Sequence, residues 1–201
     1  MDTFILASLL LAGIYIIRSR QQRQRMALLG AHLQKYHIEK LMERLHLGYM
    51  EALGEADPAR REQRWQALSA TEATLSEQFN RFATEFAKVE EAQALASKLP
   101  LALPFAEKLF PSATFDMRKL LAVHARSISQ TAQNSANLNL KRKAFTMSAE
   151  LFLMQHSCHW FCKSKTTASA RMMARNQTSH AQLLASVSPG TRDAYCQLMV
   201  D

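Results

Sequence analysis

The sequence predicts an all-α protein in which a single N-terminal transmembrane helix leads into a long antiparallel helical hairpin and a helical bundle. Three observations carry this. Phe4 to Ile17 is apolar and free of charge. Trp65 to Ala96 places apolar residues at alternating steps of three and four, the spacing that lines one face of a helix. The five prolines stand at 58, 100, 104, 111 and 189, leaving long stretches without a helix breaker. No stretch shows the alternation of a half-buried strand, and no repeat or low-complexity segment interrupts the chain. With 48% hydrophobic and 21% charged residues over 201 positions, the chain has enough apolar side chains for one sizeable core. Four segments are expected: residues 1–25 a membrane anchor with a basic flank, 26–99 the hairpin, 100–114 a proline-containing apolar connector, and 115–201 the remainder of the same bundle.

The apolar run comes first. At about 1.5 Å per residue it reaches roughly 21 Å, short of a ~30 Å hydrocarbon core. Thr3 and the stem of Arg18 lengthen it, and snorkelling or local thinning absorbs the rest. A cleaved signal peptide would carry positive charge before the run and small residues after it. Here Asp2 precedes the run and Ile16-Ile17-Arg18 ends it, so an uncleaved anchor through residues 3–18 is expected. Arg18, Arg20, Arg23 and Arg25 crowd its C-terminal flank. Positive residues stay on the cytoplasmic side, which places the N-terminus outside and the rest of the chain in the cytoplasm. The same arginines suit anionic lipid headgroups. Ser8 and Ala12 form a small-xxx-small pair of the kind that lets two anchors approach, although such pairs are common in membrane helices. Three cysteines without framework spacing fit a reducing compartment better than a disulfide-stapled secreted domain.

Beyond the arginines, Leu29, Leu33, Tyr36, Leu41, Leu45 and Tyr49 recur at steps of three to five and predict one helix over Met26–Leu53. Gly54 suits a left-handed C-cap, Asp57 an N-cap and Pro58 the first helical position, so a second helix starts there and folds back on the first. Its seam is Trp65, Leu68, Leu75, Phe79, Phe82, Phe86, Val89 and Ala96, with Glu72 and Gln93 in the two missing places. So many aromatic residues favour packing inside a bundle over a free two-stranded coil. Leu101, Leu103, Phe105, Leu109 and Phe110 make the connector too apolar for a solvated linker, and packing across one end of the bundle is expected. A helix over 115–137 capped by Thr114, a polar turn at 134–139, and a long helix over 140–175 come next. Two short helices, begun near Thr178 and at Ser188-Pro189, close the chain.

The residues that carry chemistry are few. Five scattered glycines exclude a phosphate-cradling loop or a dinucleotide fingerprint. Cys158, His159 and Cys162 fall within an arc of about 100° on one helix, whereas His156 points away. Zinc takes four ligands from separated turns in its structural sites, so these three are weak metal candidates and core packing is the expected role. Ser148, Gln155, His159, Cys162 and Thr166 form a polar stripe on an otherwise apolar helix. It either meets polar groups of a neighbouring helix or lines a small cavity that binds a metal or small ligand. A di-iron site is excluded because only Glu43-Arg44-Leu45-His46 gives the required Glu-x-x-His. Nothing marks a nucleophile turn, no catalytic residue is assigned, and no cofactor is expected.

Charge is uneven. Residues 117–175 hold ten lysines and arginines against one acid, Glu150, while residues 66–97 are net acidic. Lys141-Arg142-Lys143 opposes the macrodipole at a helix N-terminus, a cost that an anionic partner offsets. Together with Arg18, Arg20, Arg23 and Arg25 these residues are the expected anionic-surface contacts. Three partners remain open: an anionic membrane face, an acidic protein or second copy of the chain, and nucleic acid, the last without a recognition motif. The expected function is that of a membrane-anchored scaffold, adaptor or accessory subunit rather than an enzyme.

Overall fold

The computed structural model describes residues 2–200, and the protein is all-α apart from one small strand pair. Helix α1 runs without a break over Asp2–Leu33, so no joint separates the expected anchor from the body of the protein. Among the described residues it alone is long and apolar enough to cross a membrane. Its most apolar stretch has a mean hydropathy of 1.5 and is wholly unburied. Its second half turns inward: Leu29 enters the core, and Leu28 and Leu33 pack against it.

The expected helix over 26–53 is two helices. A turn at 34–37 separates α1 from α2 (Ile38–Gly54); it sets the Tyr36 ring edge-on to Phe82 and buries Ile38. Gly54 is not a left-handed cap. No described glycine has positive φ, and the helix ends into extended backbone at Glu55. The predicted start of α3 (Pro58–Phe86) holds: Asp57 accepts from the Ala59 and Arg60 amides, and Pro58 opens the helix. Helices α2 and α3 lie side by side as the hairpin. They approach so closely that a Cβ on Gly48 would collide with the Leu68 side chain.

The seam on α3 is buried from Trp65 to Phe86, but the helix stops there. Val89 and Ala96 reach the core from irregular backbone and a strand, and Gln93 is exposed. After the four-residue helix α4 (Glu91–Ala94), strand β1 (Leu95–Ser97) pairs antiparallel with β2 (Thr114–Asp116), Ala96 opposite Phe115. This pair, which no sequence pattern predicts, clamps the two ends of the connector together.

The connector itself contradicts expectation. It contains a short helix α5 (Ala106–Leu109) and a 3-10 turn, Pro111–Ala113, but only Ala106 is buried. Leu101 is 60% exposed, Leu109 65% and Phe105 44%. Phe105 also adopts left-handed backbone, φ 53°. Its neighbour is α1: the Phe105 amide donates to Gln21, and Arg25 bonds Glu107 at 3.3 Å and the Leu95 carbonyl at 3.0 Å.

Helix α6 (Met117–Ala132) is capped by Asp116, not Thr114, which belongs to β2. The polar turn behaves as expected. Asn134 and Asn137 take left-handed backbone, and the Asn134 amide both donates to and accepts from Leu138. Asn139 caps α7 (Leu140–Cys162). The expected helix over 140–175 is broken where Ser164 caps α8 (Lys165–Asn176). Ser179 and Gln182 form a capping box on α9 (His180–Ser186), and α10 (Pro189–Val200) completes the chain. Helices α3, α6 and α7 surround the core, with α2 and α10 flanking them and α8 and α9 packed on α7. Phe79, Phe82, Phe86, Leu120, Leu121, Ile128 and Phe161 are fully buried.

Candidate functional site

The gap at position 72 of the heptad seam is filled by a buried ion pair. Glu72 on α3 accepts from the Tyr49 hydroxyl on α2 and from the Lys143 ammonium on α7, so one carboxylate ties three helices together. Lys143 therefore does not belong to an anionic-surface patch; only 7% of it is exposed. Lys141 and Arg142 do stand in solvent. They lie at the opposite end of α7 from Lys163, whose carbonyl accepts from Gln22 of α1. The intervening 21 residues of sequence correspond to about 30 Å. The basic cluster on α7 and the arginine flank of α1 are thus two separate surfaces. On the flank, Arg20 and Arg23 are exposed and Arg18 is half-buried, while Arg25 is withdrawn into its pairing with Glu107 and against the Phe161 ring, 5.7 Å away. Glu150, the lone acid of the basic region, is also internal. It accepts from the Ser188 amide at 3.0 Å and the Thr191 hydroxyl at 2.8 Å, capping α10 from outside its own helix.

The polar stripe on α7 divides. Ser148, Gln155 and His159 line a groove of about 670 Å³ between α2, α7 and the end of α8. The facing wall is Glu39, Met42, Glu43 and His46, which one face of α2 presents at steps of three and four; Leu45, Leu151 and Phe152 add apolar surface. Arg171 lies 3.4 Å from His159 Nδ1. Arginine only donates, so Nδ1 accepts and the ring proton sits on Nε2. Burial, then Arg171 and Arg175, hold the His159 pKa below its ordinary value. The groove thus offers a neutral imidazole, an amide and a hydroxyl facing two carboxylates. Its size is that of a small-molecule or peptide site.

Cys162 and Thr166 are not part of the groove. Thr166 donates to the Pro100 carbonyl, so the lower stripe does meet a neighbouring segment. Cys158 donates to Met154 Sδ at 3.8 Å on its own helix. Burial pushes its thiol well above the usual range, and pushes Cys162 up to about 11 against the pull of Arg25 and Lys163. Cys162 is close enough to help raise the Cys158 thiol, whereas His159 turns to Arg171 and the groove. Among the described residues, no group of three or more His, Cys, Asp or Glu side chains is gathered closely enough to hold an ion.

Sequence reasoning missed a second polar cluster. His124 of α6, His156 and Ser157 of α7, His180 of α9 and Tyr195 of α10 meet in the interior. Ser157 donates to the Leu153 carbonyl at 2.9 Å, so the 2.9 Å contact with His124 has Nε2–H as donor. His156 bonds Ser169 at 3.1 Å and stacks on His180, centroids 4.5 Å apart; His180 bonds Tyr195 at 3.1 Å. Burial drives the pKa of His124 and of His156 down to about 3 and of His180 to about 4, His156 being lowered further by His180, Lys165, His159 and His124. These rings are neutral, and the cluster acts as a polar seam joining four helices. The cluster draws its residues from four separate helices, so no local spacing joins them in a chain that holds seven histidines.

No protein-family model matches the chain, and neither does any curated protein or solved structure.

Proposed function

We propose that the protein is a single-pass membrane-anchored scaffold or accessory subunit whose helical body stands in the cytoplasm, with its N-terminus outside. One observation carries the reading: α1 is a single helix whose first half, Phe4 to Ile17, exposes its apolar side chains, while its second half is built into the core. A soluble protein rarely leaves so large an apolar surface uncovered, and lipid is the natural cover. Arg18, Arg20 and Arg23 support the inward orientation of the body. At the other end of the bundle, the exposed Lys141 and Arg142 support an acidic protein partner as the occupant of that surface, and the α2–α7 groove supports a second docking position for a peptide or small ligand. Nucleic acid is the weaker alternative for the basic end, because phosphate contacts alone would supply the affinity.

Alkaline carbonate extraction of membranes tests the anchor: the full-length protein stays with the lipid pellet, and release into the supernatant refutes the reading. Cys196 is exposed on α10 and tests the orientation. A membrane-impermeant maleimide should modify it only after the cells are opened; modification in intact cells reverses the topology. A photo-crosslinking residue at position 141 tests the partner surface. It should yield a protein adduct that high salt abolishes.

A further inference from the structure

We infer that the connector between β1 and β2 is a second lipid-contacting element, an interfacial loop that enters the same bilayer face from which α1 emerges. This inference rests on the anchored reading of α1 and extends it to a surface outside the helix.

The connector exposes Leu101, Leu103, Phe105, Leu109 and Phe110 together. Its two ends are pinned by the β1–β2 pair, so the exposed side chains belong to a closed loop of fixed position. That position is against the basic flank of α1. Gln21 bonds both the Phe105 amide and the Glu107 carboxylate, Arg25 bonds Glu107, and Arg18, Gln21 and Gln22 line a recess with Leu101, Ala102 and Leu103.

Helix geometry sets the depth. The run Phe4–Ile17 covers only about 21 Å of a ~30 Å hydrocarbon layer, and Gln21 lies roughly 6 Å further on. A spanning α1 therefore brings Gln21 to the edge of the hydrocarbon, and the loop bonded to Gln21 arrives at that depth with it. A polar loop would resist this; an apolar loop is stabilised there. Charge agrees with an anionic headgroup layer. Arg20, Arg23 and Lys108 are exposed at this end, with Arg18, Lys98 and Lys163 half-exposed, and the nearby Glu107 is already paired to Arg25. Apolar side chains ringed by cations are the composition of an interfacial segment. The loop widens the apolar collar where the helix alone is too short.

Tryptophan depth scanning of the full-length protein tests this, in phosphatidylcholine–phosphatidylglycerol vesicles carrying bromine either near the head or near the tail of the acyl chain. Phe105→Trp and Phe110→Trp probe the loop, and Leu10→Trp probes the middle of the apolar run. All three positions are exposed, and the native Trp65 and Trp160 are buried. Both loop probes should lose emission chiefly to bromine near the head, and Leu10→Trp chiefly to bromine near the tail. Quenching of Leu10→Trp with unquenched loop probes overturns the inference and leaves the anchor standing. No quenching at any position removes the anchored reading and the loop inference with it. Loop probes that shift to the blue without quenching, in a protein of doubled mass, assign the face to a second copy and likewise overturn the inference.

Discussion

Mild acid should destabilise this protein through its buried histidines. In the folded state His124 and His156 stay neutral down to about pH 3, because the interior offers the imidazolium no solvation. In the unfolded chain they bind a proton near pH 6.5. Between these values the unfolded state holds more protons, so stability falls as pH falls. It is fully present above about pH 6.5 and lost progressively below. Lowering the pH from 7.5 to 5.5 costs about 1.4 kcal/mol for each fully depressed histidine, about 3 kcal/mol for the two. His180 adds less, being partly solvated. For a chain of this length the loss corresponds to roughly 6–12 °C in Tm. Urea titrations in a fixed detergent, followed by circular dichroism at the two pH values, measure the difference. A paired His124→Asn, His156→Gln protein should show a flatter profile. Unfolding free energies that agree at pH 7.5 and 5.5 in the wild type would refute the reasoning, as would imidazole resonances of His124 and His156 that titrate near pH 6.5 in the folded protein.

Single contacts make further outcomes testable. Glu72→Leu strands the Lys143 ammonium and the Tyr49 hydroxyl in the core, and should cost about 3–5 kcal/mol by denaturant titration. Adding Lys143→Met should recover most of it, and a double variant as unstable as the single one would contradict the pairing. Asn134→Ala forces an alanine into left-handed backbone and removes both bonds to Leu138, at about 1–3 kcal/mol; Asn134→Gly should cost less. At pH 8 a thiol reagent should modify Cys196 quickly and Cys158 and Cys162 slowly, burial and raised pKa protecting the latter two. Equal rates in the folded protein, read by mass spectrometry of digests, would show that α7 is not packed as described.

What the sequence made legible was the repeating part of the fold. Trp65, Leu68, Leu75, Phe79, Phe82 and Phe86 share a helical face by spacing alone, and Asp57-Pro58 and Ser188-Pro189 announce helix starts by local chemistry. The breaks at 34–37 and 163–164 were not legible, since no glycine or proline marks either one and partners distant in sequence meet the backbone there, Gln78 at His37 and Gln22 at Lys163. The three-residue strands exist only because tertiary packing brings Ala96 opposite Phe115. Counting charges puts Lys143 on the surface because a count cannot see the buried Glu72 across the bundle. The connector shows the limit of composition most clearly: five large apolar residues imply burial somewhere, but the sequence does not say whether protein or lipid supplies it. Ser148, Gln155 and His159 of the polar stripe line a groove while Thr166 bonds Pro100, and because α7 ends at Cys162 the single face read from the sequence is divided between two helices.

The unbroken α1 makes the whole molecule behave as a rigid lever. Its 32 residues form a rod about 48 Å long, with no swivel between the bare end and the end gripped by the other helices. The tilt of the body is therefore set by side-chain packing around Leu29 rather than by a tether.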